Sequence, residues 1–343
     1  MLALRLHGKE DLRLEDVDVP RLEGNGAILR VRVTGICATD IKAYTTGART
    51  KVPITLGHEF AGEVIEASDK YQEYVGKRVV VNPNIFCGRC EYCLRGEHVL
   101  CPNRYTIGID VDGSFAEYVV IPSQAFEVGG VLEIPGHLSY EEASLVEPLA
   151  ACFRGQRKLM IGPGDVVAII GAGPIGLMHL KLAKAFGAAM ILMGEINERR
   201  AEIAAKLGAD YVINSAKEDI EKRVMEITRG RGADVVIVAA SAGAAQEDAL
   251  RIVSRGGRIN FFAGLPAGKE KVPINTNIIH YKQITILGTS MQTPYEFRKT
   301  LELIAAGIID VKSLITHIFR LKEGLEAFSI ALRGEGLKIL IRP

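Results

Sequence analysis

A glycine-rich turn between a buried strand and a helix constrains the fold of this chain most strongly. Residues 165–170, DVVAII, are apolar after the first position, as in strands buried on both faces of a parallel sheet. GAGPIG, residues 171–176, follows directly, and a stretch of helical periodicity then reaches Phe186. Glycines at this spacing let the backbone approach a pyrophosphate, which binds at the helix N-terminus. The segment therefore predicts a nucleotide-binding strand, turn and helix, rather than an ordinary glycine turn.

The same alternation of strand and helix continues for about a hundred residues. AMILMGEI (189–196) reads as a second buried strand and residues 198–207 as a second helix; DYVIN, ADVVIVAAS, GRINFFAG and QITILGT repeat the strand pattern. Such alternation predicts a doubly wound parallel sheet. Glu195 lies 19 residues after the last glycine of the turn, where an acid accepts hydrogen bonds from the adenosine ribose hydroxyls. This acid favours NAD over NADP, although Arg199 and Arg200 are close enough in sequence to pair with a phosphate.

The chain before this region reads as β-rich. Residues 28–33, 59–67, 77–83 and 115–122 alternate or are rich in β-branched residues, and Gly, Pro and Asp separate them. Short strands of this kind predict a barrel-like or sandwich domain. The last segment predicts a helix over 295–305 and a final strand, LKILI. A length of 343 residues suits two domains.

Charge and hydropathy exclude several classes of protein. The chain has 42 basic and 41 acidic side chains, and 48% of its residues are hydrophobic. A balance near +1 gives no overall field that would attract nucleic acid or an anionic membrane. No uninterrupted apolar run is long enough to span a bilayer, and the N-terminus lacks the features of a signal peptide. We therefore expect neither nucleic acid nor membrane as a partner, and a cytoplasmic location.

Four of the six cysteines lie close together, at Cys87, Cys90, Cys93 and Cys101. Two-residue gaps let successive thiolates bind one tetrahedral zinc. Four protein ligands close such a site, so its role would be structural. An iron–sulfur cluster or a redox disulfide pair are the alternatives, but nothing else in the chain indicates electron transfer.

A second set of metal-binding residue types is dispersed along the β-rich part. Cys37, His58, Glu59 and Glu147 together offer sulfur, imidazole and carboxylate, and a catalytic zinc uses about three such ligands and one open position. Each residue alone reads more simply as buried or as part of a turn. Beside a nucleotide fold and a closed cysteine cluster, the open zinc site becomes the favoured interpretation. Cys152, five residues after Glu147, is interpreted as a packing residue.

These motifs together resemble the zinc-containing medium-chain alcohol dehydrogenases over essentially the whole chain. The segments that carry the resemblance are GICATDIKAY, GHEFAGEV, CGRCEYC with Cys101, GSFAEYVVIP, EPL, GAGPIG and EINERR. The resemblance implies an α/β protein with a GroES-like β-rich catalytic domain, residues 1–148 and 290–343. It implies an inserted Rossmann NAD-binding domain, residues 149–289, and an active site in the cleft between the two. It further implies two zinc ions per subunit, one catalytic and one structural, and assembly into dimers or tetramers.

The resemblance also assigns roles residue by residue. Cys37, His58 and Glu59 match the catalytic-zinc positions, and Glu147 matches a further carboxylate that alternates with Glu59, water or substrate. Asp40 matches an acid that orients the histidine, and Thr39 matches the hydroxyl that relays the substrate proton. Lys42 stands where the family commonly has a relay histidine, and it either contacts an anionic substrate or is a solvated lysine. The implied cofactor contacts are Gly171, Gly173, Pro174, Ile175, Gly176, Glu195, Arg200, Gly264, Leu265, Leu287, Gly288 and Thr289.

Glu147 in EPLAAC places the chain nearest the polyol branch, the sorbitol or L-iditol 2-dehydrogenases. Residues 291–293, Met-Gln-Thr, lack the Arg-Tyr pair of animal sorbitol enzymes, which weakens the case for sorbitol itself. The predicted function is a zinc-dependent transfer of hydride between a secondary alcohol of a polyol or sugar-derived substrate and NAD. The alternatives are an L-threonine 3-dehydrogenase, a zinc-free reductase of the same superfamily, and a non-catalytic NAD-binding relative.

Overall fold

The computed structural model describes residues 1–47 and 51–343, and these form two compact units. Unit 1 comprises residues 1–150 and 291–343, and unit 2 comprises residues 151–290. The predicted domain bounds lie within two residues of these. No residue to which the sequence assigns a role falls in positions 48–50.

Unit 1 is built mainly from short antiparallel strands. The strands are β1 (Leu2–Gly8), β2 (Asp11–Asp16), β3 (Gly26–Gly35), β4 (Ile54–Thr55), β5 (Glu59–Ala67), β6 (Arg78–Val81), β7 (Asn84–Ile85), β8 (Tyr105–Thr106), β9 (Tyr118–Pro122) and β10 (Val131–Glu133). Two further strands come from the C-terminal segment and are numbered below. One sheet has the order β2-β1-β4, and β7 pairs with β8. The predicted β-rich architecture is therefore confirmed.

The helices of the first 150 residues are short. They are α1 (Ala38–Thr46), α2 (Glu91–Leu94), α3 (Ser123–Glu127) and α4 (Tyr140–Ser144), and α5 (Val146–Leu159) continues into unit 2. The sequence did not predict α1. The helix begins with a capping box. The Cys37 side chain accepts a hydrogen bond from a backbone N–H of the first turn, and the Asp40 side chain accepts one from the Cys37 backbone N–H. A cysteine in the cap position is not a usual helix signal.

Unit 2 has a six-stranded sheet whose strands are all parallel. The strands are β11 (Val166–Ile170), β12 (Met190–Glu195), β13 (Tyr211–Asn214), β14 (Ala233–Val238), β15 (Val253–Phe261) and β16 (Thr285–Gly288), in the order β13-β12-β11-β14-β15-β16. Between them lie α6 (Pro174–Ala185), α7 (Glu198–Lys206), α8 (Ile220–Ile227), α9 (Gly243–Ile252) and α10 (Thr276–Lys282). β11 is buried at every position. The predicted doubly wound parallel sheet is confirmed, with α6 beginning within the glycine-rich turn.

The C-terminal segment completes the large sheet of unit 1. It contains α11 (Pro294–Ala305), β17 (Ile315–Arg320), α12 (Gly324–Arg333) and β18 (Lys338–Arg342). The sheet order is β10-β6-β5-β3-β18-β17, and β9 also pairs with β3. β18 places its residues beside the end of β3, with Leu340 opposite Gly35. The last strand of the chain is thereby brought next to residues near position 37. In the described part of the chain, no helix is both long and apolar enough to cross a membrane.

A histidine is wholly buried in α6 of unit 2. The Nε2 of Gln156 lies 2.6 Å from the His179 carbonyl oxygen and 3.2 Å from His179 Nδ1. The ring of Phe262 meets the imidazole edge-on, with 4.7 Å between centroids. Burial desolvates the imidazole and lowers the pKa of His179 to about 3. The residue is therefore neutral in the folded protein throughout the physiological range.

This histidine predicts a loss of stability in mild acid. An unfolded histidine has a pKa near 6.5, so between pH 6.5 and 3 the unfolded chain holds the proton that folded His179 rejects. Neutral His179 makes its full contribution to the free energy of unfolding above pH 6.5, and about 2 kcal/mol of that contribution is lost by pH 5. We therefore expect the free energy of unfolding, measured by urea denaturation, to fall less between pH 7.5 and 5 in His179→Gln than in the wild type. The exposed His280 supplies the control, because His280→Gln should show the wild-type dependence of stability on pH. If His179→Gln also shows the wild-type dependence, His179 is not the cause of the loss in acid.

Candidate metal sites and nucleotide-binding turn

The four clustered cysteines converge in unit 1 on a loop between β7 and β8. Ligand atoms of Cys87, Cys90, Cys93 and Cys101 all lie within 4.8 Å of one another, and the sulfur atoms of Cys87 and Cys101 are 3.5 Å apart. Thiolates on a tetrahedral zinc are separated by about 3.8 Å, given Zn–S distances near 2.3 Å. All six cysteines of the chain are free rather than disulfide-bonded. The donor set and its spacing fit one zinc ion with no open position.

The surroundings of these thiols differ in a way that favours a bound cation. Backbone N–H groups, first that of Arg89, lower the pKa of Cys87 to about 6. Burial raises the pKa of Cys93 to about 12 and also raises the pKa of Cys101. Phe86 packs against the buried pair. Since a zinc ligand must be a thiolate, a cation in this cluster is needed to hold Cys93 and Cys101 deprotonated near neutral pH.

The dispersed set forms a second cluster in unit 1. Cys37, His58 and Glu59 each place a ligand atom within 4.8 Å of the other two. Cys37 is the N-cap of α1 and is partly exposed, while His58 and Glu59 are buried next to the start of β5. Sulfur, nitrogen and oxygen donors at this spacing fit a zinc ion with a remaining open position. The structure therefore brings together three of the four residues predicted for the catalytic metal, and their role as ligands stays a prediction.

Asp40 lies where an orienting acid is expected. Its Oδ1 is 3.3 Å from Nδ1 of His58, and its Oδ2 accepts the backbone N–H of Cys37 at 2.8 Å. Burial by itself lowers the pKa of His58, but the charges of Asp40 and Cys37 outweigh it and raise that pKa well above its usual value. A carboxylate in contact with one ring nitrogen directs the other nitrogen toward a metal. Asp40 thus contacts two of the three clustered residues.

A buried lysine that the sequence did not predict neutralises this cluster. Lys338, the first residue of β18, forms a buried ion pair with Glu59 and also donates to the Ile36 carbonyl oxygen at 3.3 Å. Burial opposes its charge, but Glu59, Cys37 and Glu147 together raise the pKa of Lys338. Glycine at position 35 leaves room for the Glu59 carboxylate, against which a Cβ atom would press. The ammonium group therefore offsets the negative charge of the donor set.

Glu147 lies near this cluster but not within it. Its carboxylate is not among the donors that meet within 4.8 Å in the described part of the chain. Its Oε1 accepts from Nε2 of Gln292 at 3.0 Å. Desolvation, together with the charge of Glu59, raises the pKa of Glu147 to about 7. Glu147 is therefore a nearby carboxylate, and its alternation with Glu59 stays a prediction.

Thr39 and Lys42 are exposed on α1 beside the cluster. The backbone N–H of Thr39 points at the sulfur of Cys37, with 3.5 Å between nitrogen and sulfur. Lys42 follows three residues later, so both side chains lie on neighbouring positions of one helix face. Their exposure leaves both available to a substrate. Cys152, by contrast, is buried in unit 2, and its sulfur lies 3.8 Å from the Ile175 carbonyl oxygen.

The glycine-rich turn of unit 2 has the shape that a pyrophosphate requires. Gly171 has a φ of +107°, and a Cβ atom at Gly176 would overlap the Gly171 carbonyl oxygen. A Cβ at Gly173, the N-cap of α6, would meet no atom within 4 Å. The first and third glycines are therefore required by the turn itself. The second leaves open space at the N-terminus of α6, which Pro174 and Ile175 begin.

Glu195 holds this turn from the end of β12. Its Oε2 accepts the backbone N–H of Ala172 at 2.6 Å, and its Oε1 accepts those of Ile196 and Asn197, each at 2.9 Å. A carboxylate oxygen can accept two hydrogen bonds, so Oε2 retains capacity for a ribose hydroxyl. The sequence did not anticipate the structural part of this role. Arg200 follows in α7, and its backbone N–H donates to the Asn197 side chain at 3.0 Å.

The remaining predicted cofactor contacts lie at the ends of two neighbouring parallel strands. Gly264 and Leu265 follow β15, while Leu287 and Gly288 end β16. Thr289 is buried, and its hydroxyl accepts from Nδ2 of Asn260 at 2.8 Å. Ligands of doubly wound sheets bind at this carboxyl edge. The positions suit a nicotinamide, and their contacts with one stay a prediction.

Comparison with known proteins assigns the family. Residues 23–131 match the family model described as "Alcohol dehydrogenase GroES-like domain", and residues 174–306 match the model described as "Zinc-binding dehydrogenase". Relatives of known name match along nearly the whole chain at more than 30% identity. The chain belongs to the zinc-containing medium-chain alcohol dehydrogenase family, and is an oxidoreductase of that family.

The relatives carry different substrate names. The chain is 36% identical to sorbitol dehydrogenase of Bacillus subtilis, covering 100% of this chain and 97% of the relative. It is 35% identical to D-arabitol-phosphate dehydrogenase of Enterococcus avium, with coverages of 97% and 94%. It is 37% identical to L-threonine 3-dehydrogenase of Pyrococcus abyssi, with coverages of 95% and 94%.

A solved structure agrees over the whole fold. A zinc-binding dehydrogenase from Sinorhizobium meliloti 1021, bound to NADP, superimposes with a TM-score of 0.92 at 31% identity. The match covers 100% of this chain and 99% of the other. The GroES-like and Rossmann architecture predicted from the sequence is therefore shown by the comparison as well as by the sheets.

Proposed function

We propose that this protein is a zinc-dependent dehydrogenase that oxidises a secondary alcohol of a polyol or sugar-derived substrate with NAD. The observation that carries the proposal is the convergence of Cys37, His58 and Glu59 within 4.8 Å, separate from the four-cysteine cluster. A zinc-free reductase would have no need for this donor set.

The chain's own residues have distinct tasks in this reaction. Cys37, His58 and a glutamate would hold the zinc, which when bound would polarise the substrate hydroxyl and lower its pKa. NAD bound at the glycine-rich turn would supply the redox chemistry as the hydride acceptor. Asp40 keeps the His58 ring oriented through the contact at 3.3 Å. Thr39, exposed beside Cys37, accepts the proton of the substrate hydroxyl and passes it to solvent.

NAD is proposed as the cofactor because Glu195 lies at the end of β12. Its carboxylate accepts the Ala172 backbone N–H of the turn that would receive the cofactor, and it would repel a 2′-phosphate. The related structure from Sinorhizobium meliloti 1021 was determined with NADP, so a comparison of the two cofactors is informative. We expect NAD to give the higher kcat/KM. A preference for NADP would show that Arg199 and Arg200 determine the choice instead.

Lys42 is proposed to favour an anionic substrate. It is exposed on the same face of α1 as Thr39, and a lysine ammonium attracts carboxylate or phosphate groups. One of the relatives is named for a polyol phosphate. The discriminating experiment is a panel of polyols, polyol phosphates, sugar acids and L-threonine with NAD. Oxidation of L-threonine alone would replace the polyol assignment with the L-threonine 3-dehydrogenase alternative.

Exchange of single cysteines tests the two zinc roles. Cys37→Ser is expected to abolish turnover because it removes a catalytic ligand, while the fold and NAD binding remain. Cys90→Ser should instead lower the midpoint of thermal unfolding, because a structural zinc contributes folding energy. The measurements are metal content, turnover and unfolding of each variant. Two zinc ions per chain in the wild type support the enzyme, and one supports the zinc-free or non-catalytic alternatives.

We also propose a homo-oligomer, either dimer or tetramer, in the cytoplasm. The support for the location is that none of the six cysteines is in a disulfide, as is usual in reducing compartments. The family resemblance supports the assembly. Light scattering of the purified protein determines the number of subunits directly.

A further inference from the structure

A buried side-chain amide contacts Glu147 from the C-terminal segment of unit 1. Gln292 is wholly buried and directly precedes Thr293, the N-cap of α11. Its Nε2 lies 3.0 Å from Glu147 Oε1 and 3.2 Å from Asn82 Oδ1. Both neighbours are acceptors, so the nitrogen of the amide, and not its oxygen, must face them. The orientation of Gln292 is therefore determined by its surroundings.

Asn82 is itself held by a buried frame of polar side chains. Its Oδ1 accepts the backbone N–H of Asn84 at 3.1 Å, and the Asn84 side-chain amide lies at 3.4 Å. The hydroxyl of Thr106 donates in turn to Oδ1 of Asn84 at 3.0 Å. These three residues are buried at and beside the β7–β8 pair. Gln292 is consequently fixed between an anchored asparagine and Glu147.

Two atoms of this network have no hydrogen-bond partner. They are Oε1 of Gln292 and Nδ2 of Asn82, both buried. An unpartnered buried polar atom carries a desolvation cost. Apolar side chains of similar size would avoid that cost if the region served packing alone. Polar groups that are buried without full hydrogen bonding are expected at functional sites, where the hydrogen bonds that they do make are needed.

The contact leaves one carboxylate oxygen of Glu147 for another partner. Gln292 contacts Oε1, whereas the charges of His58 and Glu59 also act on the same carboxylate. Glu147 therefore lies close to the donor cluster, with one oxygen occupied by an amide. Hydrogen-bonded partners of metal ligands fix the orientation of those ligands, and their loss typically lowers metal affinity about 10–100-fold.

We propose that Gln292 is a positioning residue that, supported by Asn82, orients Glu147 toward the metal held by Cys37, His58 and Glu59. This inference rests on the proposed function, because it assumes a zinc ion at that cluster. The hydrogen bond from the amide restrains the Glu147 side chain through Oε1, and the other carboxylate oxygen would then be available to the metal. Without the amide, Glu147 would lose this restraint and two buried acceptors would lose a donor.

Zinc release from the purified holoenzyme tests the proposal. Gln292→Leu is expected to transfer the catalytic zinc to a chromophoric chelator about 10–100-fold faster than wild type. Release of the zinc held by the four cysteines should keep its wild-type rate, and kcat should fall while KM for NAD stays unchanged. Gln124→Leu, the same substitution at an exposed position of α3, is the matched control and should behave as wild type.

Gln292→Met provides a second variant of similar length. Its thioether cannot donate a hydrogen bond to Glu147, so we expect faster release of the catalytic zinc here too. Wild-type release in either variant overturns the proposal, and so does equal acceleration of both zinc ions, which would indicate a general loosening of the fold. A wild type that carries one zinc, or that oxidises no alcohol, would instead refute the proposed function, and this is measured before any variant.

Discussion

We expect Lys338→Met to lower the free energy of unfolding by about 3–5 kcal/mol, since it would leave Glu59 as an unpaired buried charge. The side chains of Lys338 and Glu59 are 4% and 1% exposed, so water cannot solvate the remaining carboxylate. Methionine retains most of the volume of the lysine stem, and the effect therefore reports the charge. Urea denaturation of protein stripped of the zinc at Cys37, His58 and Glu59 measures it, because that ion would otherwise pair with Glu59.

An exposed ion pair supplies the matched control. Lys70 and Glu127 contact each other at 2.9 Å on the surface of unit 1, with side chains about half exposed. Lys70→Met should leave the free energy of unfolding close to that of the wild type, because solvent screens such pairs. The double variant Lys338→Met with Glu59→Gln removes both buried charges and should recover part of the loss. If the free energy of unfolding of Lys338→Met is within 1 kcal/mol of the wild-type value, Lys338 does not stabilise the buried charge of Glu59.

We expect Gly176→Ala to destabilise unit 2 and Gly173→Ala to weaken NAD binding without destabilising it. A Cβ at position 176 overlaps the Gly171 carbonyl oxygen, so the backbone of the turn must move. Overpacking in a well-packed region costs about 1–3 kcal/mol and sometimes more, and a backbone neighbour cannot rotate away. Thermal unfolding without cofactor should therefore show a lowered midpoint for Gly176→Ala.

Gly173→Ala is the internal control, because its Cβ meets no protein atom within 4 Å. The residue has a φ of −69°, which alanine adopts without strain. Its unfolding midpoint should match the wild type, while NAD titration should show at least a tenfold weaker Kd, since the methyl group occupies space that the pyrophosphate needs. Wild-type NAD affinity in this variant would place the pyrophosphate elsewhere.

Local patterns were sufficient to predict the architecture and the four-cysteine site. Buried apolar runs alternating with helical periodicity specify a parallel sheet, because each strand must be covered on both faces. Cys87, Cys90 and Cys93 are separated by two-residue gaps, so their proximity follows from the chain itself. Glu195 was predicted for the same reason, since it ends the strand that follows the glycine-rich turn. The start of α1 was missed because a cysteine caps it.

The sequence by itself thus determined the β-rich architecture of unit 1, the doubly wound parallel sheet of unit 2, the glycine-rich turn and the donor types, because periodicity and short spacings are local properties of the chain. Only the tertiary structure decided what surrounds the donors. Lys338 pairs with Glu59 across 279 residues, and Gln292 contacts Glu147 across 145. Neither contact has a local signal, since each depends on the C-terminal segment, with α11 and β18, returning to unit 1. The physical reason is that burial and charge compensation arise from packing, which brings together residues that sequence distance keeps apart.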